Sequence, residues 1–234
     1  MNDLEILHED DDIIIVNKPS DLLVHHSYYS RNISEESLIQ RVRAYLEAPA
    51  FLAHRLDRKT SGLIIIAKSK YVAGELQDQF VNHSVNKTYI ALVRGWTEES
   101  GLIDSPIKND EKGIYQDAET AFKTIESIEF SEGVVPYPTS RYSLIELSPK
   151  TGRTHQLRKH MNKIAHPIIG DPKHGNRHHN HAFIDWFGHS RLYLHAQRIE
   201  FTHPSTKKLV SLNVDAPRFW KYDLEKLGFT MFSL

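Results

Sequence analysis

The sequence predicts an α+β (mixed α/β) domain with a largely antiparallel central sheet and flanking helices and loops. Three observations carry that expectation. Aliphatic runs of strand length recur along the 234 residues, segments with apolar residues at helical spacing lie between them, and the two follow neither a fixed strand–helix period nor a repeat.

The first strand is Ile13-Ile14-Ile15-Val16, closed by the turn-forming Asn17-Lys18-Pro19-Ser20-Asp21. After a loop, Ser34, Glu35, Glu36 and Ser37 form a helix start, and Leu38, Val42, Tyr45 and Leu46 recur at helical spacing before Pro49. Leu63 to Ala67 is a buried strand by length and branching; Val72, Leu76 and Phe80 then predict a helix reaching Asn82. Tyr89 to Val93 gives a strand stopped at Gly95. Further strands are expected at Tyr142 to Leu147, Leu192 to Phe201 and Leu209 to Val214, with helices near Gln156 to Lys163 and Phe219 to Leu227. Glu98 to Gln116 and Ser131 to Thr139 are expected as surface excursions, and the His-rich stretch Lys173 to Gly188 as a loop. Nothing resembles a long linker, so residues 1–234 are expected to form a single domain.

Composition narrows the chemistry. Apolar residues make up 40% of the chain and charged residues 25%, as in ordinary globular proteins. No apolar run approaches the roughly 18 residues that cross a bilayer, and the acidic start lacks the order of a secretory signal, so a cytoplasmic protein is expected. The absence of cysteine excludes thiolate nucleophiles and cysteine-held zinc. The net charge of -1 hides a segregation: six carboxylates and no Lys or Arg lie between Met1 and Asp12, whereas Arg141 to Arg177 holds eight Lys and Arg against two acids. A basic face on a near-neutral protein suits selective phosphate contact, although a solvated surface fits the charge count equally well.

The most informative stretch is His54-Arg55-Leu56-Asp57-Arg58-Lys59-Thr60-Ser61-Gly62-Leu63, which places one carboxylate between arginines in a polar loop leading into a buried strand. Such an aspartate can attack carbon or take a proton, or it can serve a structural ion pair at a strand start. The pattern His-Arg-Leu-Asp-x-x-Thr-Ser-Gly-Leu with its aliphatic strand and Ala-Lys resembles the catalytic motif of the RluA family of pseudouridine synthases. Asp12 to His25, Lys87 to Val93, Pro149 to Arg158, His166 to Asp171 and Leu194-His195-Ala196 resemble further family segments in the same order.

The resemblance implies the pseudouridine synthase catalytic fold, RNA as partner and no cofactor. It makes Asp57, Tyr89 and Arg158 the catalytic residues: Asp57 acts at the sugar, Tyr89 stacks the uracil and relays its C5 proton, and Arg158 pairs with Asp57. Arg55 would fill the space of the everted base or hold its backbone. His54, Arg153 and Lys159 join it as candidate RNA-binding residues. By spacing alone, Tyr89 reads better as a core strand aromatic, and Arg153, Arg158, Lys159 and Lys163 read equally as solvated charges. The loops Lys173 to Arg177, Phe187-Gly188 and Arg191-Leu192, with no S4 RNA-binding domain expected, are most similar to the branch modifying tRNA at uridine 65, with ribosomal RNA as the alternative target. The expected enzyme is a monomer, without a metal, a membrane or a protein partner.

Two rivals come from other classes. His174, His178, His179, His181 and His189 form a dense set of candidate ligands for a metal-dependent hydrolase. The basic segment would equally serve a non-catalytic RNA-binding chaperone.

Overall fold

A computed structural model describes residues 4–26, 35–110 and 112–230. Ser34 and the acidic Asp3 of the sequence reading lie outside the described residues. In chain order the elements are β1 (Glu5–Glu9), β2 (Ile13–Lys18), α1 (Leu38–Leu46), β3 (Phe51–Leu52), β4 (Ser61–Ala67), α2 (Lys70–Val81), β5 (Asn86–Arg94), β6 (Ser100–Asp104), β7 (Ile107–Lys108), β8 (Tyr115–Gln116), β9 (Glu119–Phe130), β10 (Ser140–Pro149), α3 (Gln156–Lys163), α4 (Arg177–Phe187), β11 (Leu194–Thr202), β12 (Leu209–Asn213) and α5 (Arg218–Leu227). The chain divides into two compact units, residues 1–86 with 196–214, and residues 87–195 with 215–234.

In the first unit the strand order is β1-β2-β4-β11, with β3 beside β4 and β12 beside β11. The pairings β1–β2, β2–β4, β3–β4 and β11–β12 are antiparallel. Ile13 to Val16 are fully buried, which explains why β2 reads as a continuous apolar run rather than an alternating one. Ile13, Ile15, Leu63 and Ile65 share a core with Val72, Ala73 and Leu76 of α2 and with Ile199 and Phe201 of β11. Gly62 is required where it stands: its φ is +111°, and a Cβ there would lie 2.3 Å from the Ala196 carbonyl oxygen.

The second unit carries the antiparallel order β5-β10-β9-β6 and the small β7–β8 hairpin. Its strands alternate in the way a sheet covered on both faces requires. Ile90, Leu92, Tyr142 and Leu144 pack with Phe183 of α4 and with Trp220 and Leu224 of α5. Ala91, Val93, Ile145 and Leu147 pack with Leu157 and Met161 of α3.

Two expectations are corrected here, and two strands are added. Lys173 to Gly188 is not a loop, because Arg177–Phe187 is helical, with the Asn176 side chain accepting from the His178 and His179 N–H groups and Gly188 left-handed at its end. Glu98 to Gln116 contains β6 and the β7–β8 hairpin rather than a bare excursion. The twelve-residue β9 and the short β1 went unread in the sequence.

Candidate active site

Asp57 lies in the irregular segment joining β3 to β4, half-buried, with Arg55 and Arg58 exposed on either side. A segment outside helix and sheet leaves its main-chain carbonyls to find other donors. Lys18, at the end of β2 and fully buried, supplies them: its ammonium donates to the carbonyls of Pro19 (2.7 Å), Leu22 (3.1 Å) and Arg58 (2.9 Å). Ser20 Oγ donates to the Lys59 carbonyl at 2.7 Å, Arg58 Nε to the Asp21 carbonyl at 2.8 Å, and the Thr60 N–H to the Asp57 carbonyl at 3.1 Å. The turn after β2 and the loop bearing Asp57 are thereby tied together through main-chain atoms. Burial drives the Lys18 ammonium down to about 7, against the pull of the Asp21 and Asp57 carboxylates.

His54 serves the loop rather than its surface. Its Nε2 accepts from the Ile65 N–H at 2.9 Å, which puts the ring proton on Nδ1, and the ring stacks on Phe80 at 4.5 Å. Arg55 Nη1 lies 3.2 Å from His25 Nε2.

The remaining predicted residues belong to the second unit. Tyr89 is half-buried on β5 beside the cluster of Ala91, Val93, Ile145 and Leu147. Arg158 is 5% exposed on α3 and meets Asp171 in a two-pronged pair, Nε to Oδ2 and Nη2 to Oδ1, both at 2.7 Å. Burial raises Asp171, but the Arg158 bonds and the N–H groups of His174 and Lys173 outweigh it, leaving the carboxyl below its ordinary range. The turn before α3 is organised by buried Gln156, whose Oε1 accepts from the Arg153 N–H and Thr151 Oγ1, and whose Nε2 donates to the Glu119 carbonyl and to Thr120 Oγ1. Arg153 Nε donates to the Asp117 carbonyl at 3.0 Å. Lys159 reaches the Lys108 carbonyl (2.9 Å) and Asp110 (3.1 Å), and Lys173 meets the other oxygen of Asp110 at 2.8 Å.

Within each unit, then, His54, Arg55 and Asp57 share one loop, and Arg153, Arg158 and Lys159 share α3 and the turn before it. Sequence reasoning gave Lys18 and Asp171 no role of their own. The available signals were a lysine closing a wholly aliphatic strand, and an aspartate followed by Pro in a segment otherwise basic.

The histidines proposed as metal ligands do not converge. His179 Nδ1 bonds the Tyr142 hydroxyl, His174 Nε2 bonds His155 Nδ1, His189 bonds Asp223, and His178 and His181 are exposed. Among the described residues, the carboxylate and imidazole group close enough to share an ion is Asp10, Asp12 and His203. There His203 Nδ1 accepts from the Ser205 and Thr206 N–H groups, so Nε2 carries the proton and donates to Asp10 at 3.1 Å. That ring is a structural donor, and its bonding does not suit a metal ligand.

Comparison with known proteins decides the family. Residues 12–163 match the family described as RNA pseudouridylate synthase. The chain belongs to this family. As a pseudouridylate synthase it aligns over nearly its full length with proteins named tRNA pseudouridine synthase C. It is 38% identical to that of Vibrio cholerae, covering 96% of each chain, and 40% identical to that of Pasteurella multocida, covering 93% of each. Among solved structures, human RNA pseudouridylate synthase domain containing 1 superposes with a TM-score of 0.76 at 24% identity, over 100% of this chain and 91% of that one. The human domain-containing 4 protein gives 0.71 at 25%, over 95% and 92%. The mixed α/β architecture with antiparallel sheets is the fold of this synthase family.

Proposed function

We propose that the protein converts a uridine of tRNA, at position 65, to pseudouridine, with Asp57 at the reacting sugar. The observation that carries this reading is the setting of Asp57. A half-buried carboxylate stands in a loop whose main chain is fastened from beneath by buried Lys18, inside the segment that matches the synthase family. Relatives named for action on tRNA support the choice of RNA.

The reaction balances without an added cofactor. The bond from uracil N1 to C1′ breaks, the ring turns, C5 bonds to C1′, the C5 proton leaves and N1 takes one up. The uridine must first be everted, at a cost of a few kcal/mol, and phosphate contacts offset that cost. In this scheme Arg55 occupies the space of the everted base or holds its backbone. Asp57 attacks C1′ or takes a ribose proton, Tyr89 stacks the uracil and relays the C5 proton, and Arg158, set in orientation by Asp171, pairs with Asp57. Arg153 and Lys159 contact phosphates. The whole chain works as one catalytic domain and as a monomer in the cytoplasm.

The test is release of tritium from tRNA carrying 5-tritiated uridine, with no cofactor added. Wild-type protein is expected to release it and Asp57→Ala to stop release while keeping tRNA affinity. Undiminished turnover by the alanine variant would remove Asp57 from the chemistry; tight binding without any release by the wild type would favour the chaperone reading.

A further inference from the structure

We propose that a cavity of the first unit, walled by α1, β3, α2 and the residues His25 and His26, is a second RNA-binding site that takes a nucleotide of the substrate strand. This rests on the RNA-modifying function argued above. The cavity holds about 610 Å³, within the range of roughly 300 to 1,000 Å³ typical of ligand sites. Its walls include Arg43, Lys70, His25 and His26 and, among the described residues, no carboxylate. Burial, with Arg55 and His26 adding, holds His25 below its ordinary value, so the standing positive charge comes from Arg43 and Lys70. Arg43 is fixed in place by donating twice to the Ala50 carbonyl, at 3.1 and 2.8 Å. Phe51 adds an aromatic side chain to this basic wall, and that combination suits a phosphate with its attached base.

A glycine points to an occupant. Gly74 sits inside α2, where glycine destabilises a helix relative to alanine, and nothing in its packing asks for it. A Cβ there would meet no atom within 4 Å, and its backbone needs no left-handed conformation. What the missing side chain leaves open is the cavity wall, where a ligand can approach the helix backbone. The position relative to the chemistry also fits, because His25 of this wall lies 3.2 Å from Arg55, two residues from Asp57. One strand can then present its uridine at the loop and a neighbouring nucleotide to the cavity.

The experiment measures equilibrium binding of unmodified tRNA at several salt concentrations by wild type, Gly74→Trp and Lys70→Gln, with thermal unfolding and tritium release run alongside. Gly74→Trp fills the space without deleting a contact and should weaken binding roughly tenfold, with unfolding at or above the wild-type temperature. Lys70→Gln should weaken it roughly threefold and lower the slope of log affinity against log salt by about one. Both losses should appear in KM. Folded variants that bind tRNA with wild-type affinity and slope would overturn the proposal. So would uptake of uridine monophosphate that Gly74→Trp abolishes while tRNA affinity stays unchanged, since the cavity would then serve a free nucleotide. A protein that binds tRNA through Gly74 and Lys70 yet releases no tritium would sink the isomerase reading and leave this site standing.

Discussion

The two units solve different positioning problems. In the first, the group to be placed stands on a segment without regular structure, so the backbone itself must be held, and a buried ammonium does this by reaching three carbonyls. In the second, Arg158 stands in the first turn of a helix, where regular backbone geometry and bonds such as Lys159 N–H to the His155 carbonyl set the main chain. There only the side chain needs orienting, and a buried carboxylate does it. The contrast teaches that a buried charge can act on a loop's main chain or on one partner side chain, and the two should fail differently when removed.

Asp171→Asn tests the second unit and should give the largest effect. It keeps the shape but replaces the carboxylate of the buried two-pronged pair with a neutral amide, a loss of about 3 to 5 kcal/mol for a broken buried pair. All three tryptophans, Trp96, Trp186 and Trp220, lie in the second unit, so denaturation followed by tryptophan fluorescence reads it directly. A shift under about 1 kcal/mol would place the pair among exposed, screened contacts and erase the contrast.

Lys18→Met is the matching test of the first unit. It keeps the apolar stem and strips donors from three carbonyls, one bond wholly buried and two partly, for a loss on the order of 2 kcal/mol. Faster amide exchange in β2 and β4, and a fall in turnover deeper than the loss of tRNA affinity, would locate the damage at the Asp57 loop. Wild-type turnover would mean the loop keeps its shape unaided.

Acid separates the units by window. Burial pushes His179 down to about 4, with Arg94 and His178 adding to it. His174 is also pushed to about 4, by burial against the opposing pull of Asp171. Both fold neutral, and the unfolded chain binds protons near pH 6.5, so their stabilising contribution is complete above that pH and is lost as pH falls toward 4. The slope is on the order of 1 kcal/mol per pH unit for buried His179 and smaller for half-buried His174. In the first unit Asp10 is raised by burial but lowered further by His8 and the Ile13 and Asp12 N–H groups, to about 2. Its contribution is present above about 3.8 and lost only below. Tryptophan fluorescence should therefore report loosening between pH 6.5 and 4 while β1 and β2 keep their exchange protection; simultaneous loss would remove the distinction.

How much of this was readable in advance follows the same physics. β2, β4, β5 and β10 were legible because both faces are covered and the runs are aliphatic; α3 and α5 because their apolar spacing is regular. β9 was not, and its pairing with β10 shows why. A register shift beside Ile125 reverses the phase of the strand, so that Phe122 packs on one face while Ile128 and Phe130 pack on the other, although all three numbers are even. No single period describes it. α4 was hidden by its three histidines, although Asn176, Gly188 and the spacing of Phe183, Trp186 and Phe187 announce a helix. At the site, Asp57 was legible through its motif, but the Lys18 bonds are not, because the one that reaches the Arg58 carbonyl spans forty residues of sequence.

The smallest expected change in stability comes from Asp110→Asn, and it sharpens the comparison on the RNA side. Asp110 is exposed, and its bonds to Lys173 and Lys159 hold its carboxyl well below the usual range. Exposed pairs contribute little to folding, so the unfolding temperature should move by less than about 2 °C. Their effect falls instead on charge, because one carboxylate occupies two ammonium groups, those of Lys159 and Lys173. Neutralising it should tighten tRNA binding at low salt and steepen the dependence of log affinity on log salt, by up to about two if both lysines reach phosphates. The first unit's cavity has no such internal competitor among its described lining residues, so its lysine should act on binding without prior release. An unchanged slope in Asp110→Asn would take Lys159 and Lys173 off the RNA path and leave Arg153 as the phosphate contact of that turn.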